Sequence, residues 1–207
     1  MAMEWQVNDA RSLAVIDREI GTHIFSPAEY EIVRQVIYAT ADFEYKSLIR
    51  FSQTALQAGA AALAARNTIV VDIPMVKVGI VDRTQNTFVN LVYCSNDVYS
   101  HHQSKMANLA RGTTILAKRY PEGIFVVGQS EAALTTLVNL VEAQEIRPAL
   151  IIGTSPRFLI ENNAKKRLAN SPTPHIIIDS YKGNAVVASA IVNGLIDLAW
   201  QAYGEKK

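Results

Sequence analysis

The spacing of hydrophobic residues changes along the chain, and the first third has a helical period. Apolar residues there recur every three or four positions, as in Ile32, Val33, Val36 and Ile37, which is typical of amphipathic helices. We predict three helices in this part. They run from Asp9, as an N-cap, to about Ile20, from Pro27 to about Ala41, and from about Ser52 to about Ala65.

The second helix has a clear start in the sequence F-S-P-A-E. Ser26 takes the N-cap position, Pro27 the first helical position and Glu29 the third. This is a capping box with the proline in its preferred place, so the helix is expected to begin at Pro27.

After about residue 66, short β-rich runs alternate with helical segments. Several runs are apolar throughout, which favours strands buried on both faces of a parallel sheet. The alternation predicts one α/β domain over residues 1–207: a doubly wound, mainly parallel five-stranded sheet flanked by helices, with a helical N-terminal third. The predicted strands are 68–72, 88–93, 123–128, 148–153 and 175–179, and the helices after them are 104–118, 130–144, 157–169 and 184–202.

Three predicted strands end in polar turns that contain glycine: G-Q-S-E, G-T-S-P-R and D-S-Y-K-G-N. Ligands of such sheets bind outside the carboxyl ends of the strands. Free N–H groups at helix N-termini favour carboxylates or phosphates, and Arg157 and Lys182 add positive charge. The turns suggest a site for a small poly-anion, although any strand–helix turn needs glycine and an N-cap residue.

Composition excludes some classes of protein and leaves others open. The formal net charge of +1 is low for a protein that binds nucleic acid through phosphate contacts, so we expect no nucleic-acid partner. The beginning of the sequence lacks a signal-peptide pattern, and no uncharged apolar run reaches the roughly 20 residues of a membrane helix. We therefore expect a cytoplasmic protein without a membrane partner.

Metal and nucleophile chemistry have little support in the sequence. The single cysteine, Cys94, follows a strand and is expected to be a buried apolar residue. His101 and His102 are adjacent and so do not share a helix face, and no further ligand lies at metal-binding spacing. The phosphate-loop, dinucleotide and nucleophile-elbow motifs are missing. We predict no metal and no cofactor.

Ordered motifs extend over nearly the whole chain. They are R-S-L-A-V-I-D-R-E (11–19), F-S-P-A-E-Y-E-I-V-R-Q-V-I-Y-A-T-A-D-F-E (25–44), I-V-V-D-I-P-M-V-K-V-G-I (69–80), V-V-G-Q-S-E-A-A-L (126–134), P-A-L-I-I-G (148–153) and K-G-N-A-V-V-A-S-A-I-V-N-G-L (182–195). This set resembles the precorrin-8X methylmutase (precorrin isomerase) family of corrinoid biosynthesis.

The resemblance implies a substrate, a reaction and an assembly. Family members move a methyl group from C-11 to C-12 of a tetrapyrrole, precorrin-8 or its cobalt form, without a redox or metal cofactor from the protein. Their subunits form homodimers in which both contribute to each ligand site. The substrate carries several carboxylates, which agrees with the cations and helix N-termini noted above.

The resemblance also places a tyrosine at the position of the family's proposed acid. That acid is a histidine in a V-I-H-A-T-x-D-F motif, and here the motif reads V-I-Y-A-T-A-D-F, with Tyr38 in its place. Unperturbed histidine and tyrosine differ by about 3.5 pKa units, or roughly 4.8 kcal/mol in proton-donating power. A phenol can still donate a hydrogen bond to the macrocycle.

Other family positions provide the remaining candidates. Several have changed: Gln129 and Glu131 stand where asparagine and proline are usual, Arg157 where glycine is, and Asn184 where a second glycine is. The candidate ligand-binding residues are Ser12, Thr40, Asn108 (at a position where the family has arginine), Gln129, Ser130, Arg157, Lys182, Gly183 and Asn184.

Three functions agree with these residues. The first is an isomerase with Tyr38 as the acid or hydrogen-bond donor. The second is a non-catalytic relative that binds a tetrapyrrole or another anion. The third is an α/β enzyme for a different small substrate. Tyr38 could also be a rim residue beside Arg34, because Tyr30, Arg34, Tyr38 and Asp42 form one helix stripe.

Overall fold

The protein forms a six-stranded sheet with helices on both faces, in a computed structural model that describes residues 7–98, 105–157 and 164–204. The strands are β1 (Ile49–Phe51), β2 (Ile69–Val71), β3 (Val92–Cys94), β4 (Ile124–Val127), β5 (Leu150–Gly153) and β6 (His175–Ile178). The helices are α1 (Val7–Ile20), α2 (Pro27–Thr40), α3 (Tyr45–Leu48), α4 (Ala55–Ala64), α5 (Pro74–Gln85), α6 (Lys105–Arg119), α7 (Glu131–Glu142), α8 (Ala164–Ala169) and α9 (Ala185–Tyr203).

The sheet is doubly wound, as predicted. Its strand order is β1-β6-β5-β4-β2-β3, and β2 to β6 pair in parallel. The chain passes from β2 outward to β3 and then returns to β4 on the other side of β2. The winding therefore reverses between β2 and β4, which is where sheets of this kind open a crevice at their carboxyl ends.

The predicted count of five strands is wrong by one. β1 lies in the part of the chain predicted to be helical, and it pairs antiparallel with β6, so that Arg50 stands opposite Ile177. A three-residue strand gives too short a period to recognise without its partner. The strand predicted at 88–93 begins only at Val92, because Asn90 turns inward and its side chain donates to the carbonyls of Leu63 and Asn67.

The helices also differ in places from the prediction. Helix α5, between β2 and β3, was not predicted; Pro74 opens it, and Val76, Ile80 and Thr84 are buried at four-residue spacing. Asp9 lies inside α1 rather than at its cap. The capping box at Ser26 and Glu29 is present as predicted. Of the helix predicted at 157–169, residues 164–169 are helical and 158–163 lie outside the described residues.

Two apolar cores cover the faces of the sheet. The larger contains α2, α4, α5 and α9, and the smaller contains parts of α6, α7 and α8. Helix α9 is long and apolar enough to cross a membrane by length and composition alone, but 56% of its apolar window is buried within the fold. Its contacts with α2, α4 and α5 make it the central helix of the larger core.

Candidate active site

A cleft of about 360 Å³ opens between the end of α2, one face of α5 and the first half of α9. Its walls include the exposed apolar side chains of Tyr38, Met75, Val78 and Val186. Its polar groups are Gln35, Arg83, Ser189 and Asn193. The volume lies at the lower end of the roughly 300–1,000 Å³ typical of small-molecule sites.

Helix α2 holds Tyr38 at this cleft by burying its opposite face. Ile32, Val33, Val36 and Ile37 are almost completely buried, as their spacing predicted, while 41% of Tyr38 is exposed. Tyr38 therefore lines a cleft shared by three helices.

The end of α2 uses Thr40 to close the helix. Its hydroxyl donates to the carbonyl of Val36 at 2.8 Å and accepts from the N–H of Asp42 at 3.3 Å. Ala41 then takes the left-handed conformation, with φ of 54°. The hydroxyl predicted to bind ligand thus has a structural role in ending the helix.

Lys182 ties the end of α2 to the turn before α9. Its ammonium donates to the Asp42 carboxylate at 2.7 Å and also to Glu44. These hydrogen bonds, first to Asp42 and then to Glu44, raise the pKa of Lys182, and Lys182 in turn lowers the pKa of Asp42. The role of Lys182 as a ligand cation stays a prediction, and in this structure two carboxylates of its own chain pair with its charge.

The next two residues have roles in shaping the start of α9. Gly183 has φ of +128°, and a Cβ there would lie 2.1 Å from the carbonyl oxygen of Thr154. Asn184 caps α9, since its side chain accepts from the N–H groups of Val186 at 2.9 Å and Val187 at 3.1 Å. The helix N-terminus expected to attract an anion is occupied by this cap.

The turn after β4 is likewise occupied, here by a carboxylate from β2. Asp72 is 2% exposed and accepts from the N–H groups of Gly128 at 3.0 Å and of Gln129 and Ser130 at 2.8 Å each. The Ser130 hydroxyl accepts from the N–H of Ala133. The sequence predicts an anion site here, and in the structure the Asp72 carboxylate accepts these hydrogen bonds. The exposed Gln129 side chain stays a predicted ligand group.

A second polar cluster lies at the carboxyl ends of β4 to β6. Lys165 is 3% exposed, and its ammonium donates to the carbonyl of Ser180 at 3.1 Å. Burial is the main reason that the pKa of Lys165 is lowered to about 8; the nearby Glu131 opposes the change and Arg157 adds to it. Glu131 accepts a hydrogen bond from Ser155 at 3.0 Å. Arg157 is not among the residues that line the Tyr38 cleft, so it does not close it.

The polar groups inside the cleft come mainly from α5 and α9, and none of them was a candidate predicted from the sequence. Arg83 forms an ion pair with Asp197, whose pKa is raised by burial and lowered in part by Arg83. The Asn193 amide donates to the carbonyl of Gly79 at 2.9 Å. Helix α5 could have been predicted from the four-residue spacing of its buried positions and from Pro74 at its start.

The remaining candidates lie elsewhere or are untested. Ser12 is exposed on α1, Asn108 is half-buried on α6, and neither is among the lining residues of the cleft. Cys94 is buried, and burial raises the pKa of its thiol, which agrees with an apolar role. His101 and His102 lie outside the described residues. Within the described ranges, no cluster of three or more His, Cys, Asp or Glu side chains could hold a metal ion.

The cleft offers apolar walls and one phenol to a ligand. Met75, Val78 and Val186 supply apolar contact, and the Tyr38 hydroxyl is both a donor and an acceptor. Arg83 is the cation among the lining residues of the cleft, and it is already paired with Asp197. The cleft of one chain therefore supplies shape and one proton-handling group, but little positive charge.

Comparison with known proteins places this arrangement in one family. The family model for precorrin-8X methylmutase matches residues 9–198. A cobalt-precorrin-8 methylmutase of Synechocystis is 37% identical over 204 residues, covering 92% of this chain and 94% of the relative. One of Methanocaldococcus jannaschii is 34% identical over 176 residues, covering 84% and 82%. A solved precorrin-8x methyl mutase of Thermus thermophilus superposes with a TM-score of 0.84 at 34% identity, covering 95% of this chain and 99% of that one.

Proposed function

The chain belongs to the precorrin-8X methylmutase family, a family of isomerases, and we propose that it moves a methyl group from C-11 to C-12 of precorrin-8 in corrinoid biosynthesis. The observation that carries this proposal is the open cleft beside Tyr38, at the position of the family's acid. Neither Arg157 nor the turns after β4 and β5 are among its lining residues, although these segments differ from the family's motifs.

The reaction is a rearrangement without net oxidation. The bond from the methyl carbon to C-11 breaks, the bond to C-12 forms, and the double bonds of the macrocycle shift between them. The apolar walls hold the ring flat, and the Tyr38 hydroxyl donates a proton or a hydrogen bond to the ring as the methyl group moves, and recovers it afterwards.

A second copy of the chain would complete the site. The substrate carries several carboxylates, while the cation that lines the cleft is paired with Asp197. Met75 and Val78 at the rim are 64% and 73% exposed. A homodimer that covers this rim would bury apolar surface and bring further cations to the substrate. The homodimer is tested by measuring the molar mass of the protein in solution, which should equal that of two chains.

The experiment is to add precorrin-8 or cobalt-precorrin-8 to the purified protein and follow the absorbance spectrum. Conversion of either pigment supports the proposal and also shows which form of the substrate the chain accepts. A pigment that binds without conversion would instead show a non-catalytic tetrapyrrole-binding protein. A spectrum unchanged from free pigment would contradict any role in this pathway.

Variants of Tyr38 test its role. Tyr38→Phe removes the hydroxyl and should slow turnover by roughly 10²–10⁴-fold, the usual contribution of a general acid. Tyr38→His should keep or raise activity, because histidine is the stronger acid. The matched control is Tyr203→Phe, at an exposed tyrosine at the end of α9 away from the cleft. Unchanged turnover in Tyr38→Phe would remove Tyr38 from the mechanism.

A further inference from the structure

We propose that the chain has a second small-molecule site, in a cleft of about 570 Å³ between β1, β6 and α8. The proposed ligand is a small compound that carries both an oxyanion, phosphate or carboxylate, and a hydroxyl group. This cleft is larger than the 360 Å³ cleft beside Tyr38 and lies within the range of small-molecule sites.

The two clefts lie on opposite faces of the sheet. Along β6, Ile176 and Ile178 face the core that contains α2 and α9, whereas Ile177 faces the core that contains α7 and α8. Because strand residues alternate, His175 is on the same face as Ile177. The antiparallel strand β1 extends the sheet by one strand beyond β6, against which α8 packs, and the cleft lies at this junction.

His175 provides a buried polar group in this cleft. It is 5% exposed, and its Nδ1 lies 2.8 Å from the carbonyl oxygen of Thr173. A carbonyl only accepts hydrogen bonds, so Nδ1 carries a proton, and in this tautomer of the imidazole the lone pair is on Nε2. Among the described residues, Thr173 is the ring's hydrogen-bond partner, which leaves Nε2 to accept from another group. Nε2 is not one of the buried side-chain atoms without a partner in the described part of the chain, so it is open to the cleft and can accept from a water molecule or a ligand hydroxyl.

Arg50 supplies the fixed positive charge. Its Nη1 donates to the carbonyls of Ser47 at 2.7 Å and Ile49 at 2.9 Å, so the guanidinium is held beside the cleft. Its other N–H groups have no hydrogen-bond partner among the described residues, and they form the fork that binds phosphate or carboxylate oxygens.

The other lining residues agree with an anionic ligand that has a carbon body. Lys166 adds a second cation against one carboxylate, Asp179. Ile177 provides apolar contact. The oxyanion then lies beside Arg50 and Lys166, and the ligand hydroxyl donates to Nε2 of His175.

Titration of the whole protein with four probes tests each half of the site. Glycerol 3-phosphate has both groups, methyl phosphate lacks the free hydroxyl, and glycerol lacks the oxyanion; citrate, a hydroxy acid, tests the carboxylate class. Binding is measured by calorimetry and by the ring resonances of His175. Glycerol 3-phosphate or citrate should bind most tightly and shift the His175 resonances, methyl phosphate should bind more weakly, and glycerol should not bind.

Two variants keep the test decisive. Arg50→Gln should weaken binding of the oxyanion probes by about tenfold or more. His175→Asn keeps a donor for the Thr173 carbonyl and removes Nε2. It should therefore weaken the binding of glycerol 3-phosphate but not that of methyl phosphate. Arg18→Gln, at an exposed arginine on α1 that pairs with Glu19, is the control and should change nothing.

Several outcomes would overturn the proposal. They are the absence of saturable binding for every oxyanion probe, undiminished affinity in Arg50→Gln, or an equal loss in Arg18→Gln. If His175→Asn does not fold, the surface variants Arg50→Gln and Lys166→Gln still decide the matter. The outcome is independent of methylmutase activity, because Tyr38 and its cleft lie on the other face.

Discussion

Replacing Asp72 by asparagine tests how the fold holds the turn between β4 and α7. One carboxylate oxygen accepts from the N–H of Gly128, and the other from those of Gln129 and Ser130. Asparagine has one acceptor oxygen, so its amide group must face at least one of these N–H donors. The variant loses one hydrogen bond, leaves a buried donor unpaired and removes the charge that strengthens the other two.

The size of the effect follows from these losses. A buried donor without a partner costs about 1–3 kcal/mol, and the weakening of two charge-assisted bonds adds to this. We expect Asp72→Asn to lower the free energy of unfolding by about 2–4 kcal/mol. For a chain of this length, that corresponds to a fall in Tm of roughly 5–15 °C.

The assay is urea unfolding followed by circular dichroism, with Asp82→Asn as the control. Asp82 is an exposed aspartate on α5, so the same chemical change there should alter stability by less than about 0.5 kcal/mol. If Asp72→Asn changed stability no more than Asp82→Asn, Asp72 would not be the anion that satisfies the turn. The reasoning would also fail if both variants lost the same large amount.

Three further changes probe the neighbouring features. Gly183→Ala should cost about 3–5 kcal/mol, from backbone strain plus a clash, whereas Gly21→Ala, at φ of 62° with open space around the new methyl group, should cost about 1–2 kcal/mol by the same urea assay. The pKa of Lys165 is about 8 in the folded protein, against 10.5 for an unperturbed lysine. Between these pH values the unfolded chain binds more protons than the folded one, so the free energy of unfolding rises with pH. Between pH 8 and 10.5 the free energy of unfolding should rise by about 3 kcal/mol more in the unmodified protein than in Lys165→Met. A difference between the two proteins that does not change with pH would contradict a buried ammonium group. Asn184→Ala removes the cap of α9 and should cost about 1 kcal/mol in thermal unfolding, while Asn86→Ala, at the exposed end of α5, should cost less.

Local patterns in the sequence were sufficient for much of the fold. The apolar spacing of α2 and the capping box at Ser26 depend on residues within one or two helical turns, and both are present as predicted. The continuous apolar runs of β4, β5 and β6 identified strands buried on both faces. The family followed from ordered motifs for the same reason, because each motif is read from neighbouring residues.

The content of the site depended on contacts between distant residues. Lys182 seemed available to a ligand until the fold brought Asp42 to it from 140 positions away. The turn at Gly128 seemed to offer free N–H groups until β2 and β4 became neighbours and Asp72 filled it. No local period records such pairings, so the sequence by itself identified the residues able to bind anions but not the protein groups that already satisfy them.

Tertiary structure alone also decided where the clefts are. Tyr38 lines a cleft because α5 and α9 pack beside the end of α2, and His175 lines another because β1 joins the sheet beyond β6. The sequence determined that Tyr38 is a tyrosine on an amphipathic helix within a family motif. Only the packing of three helices showed that it faces an open apolar cleft, because a cleft is the space between elements and no single element encodes it.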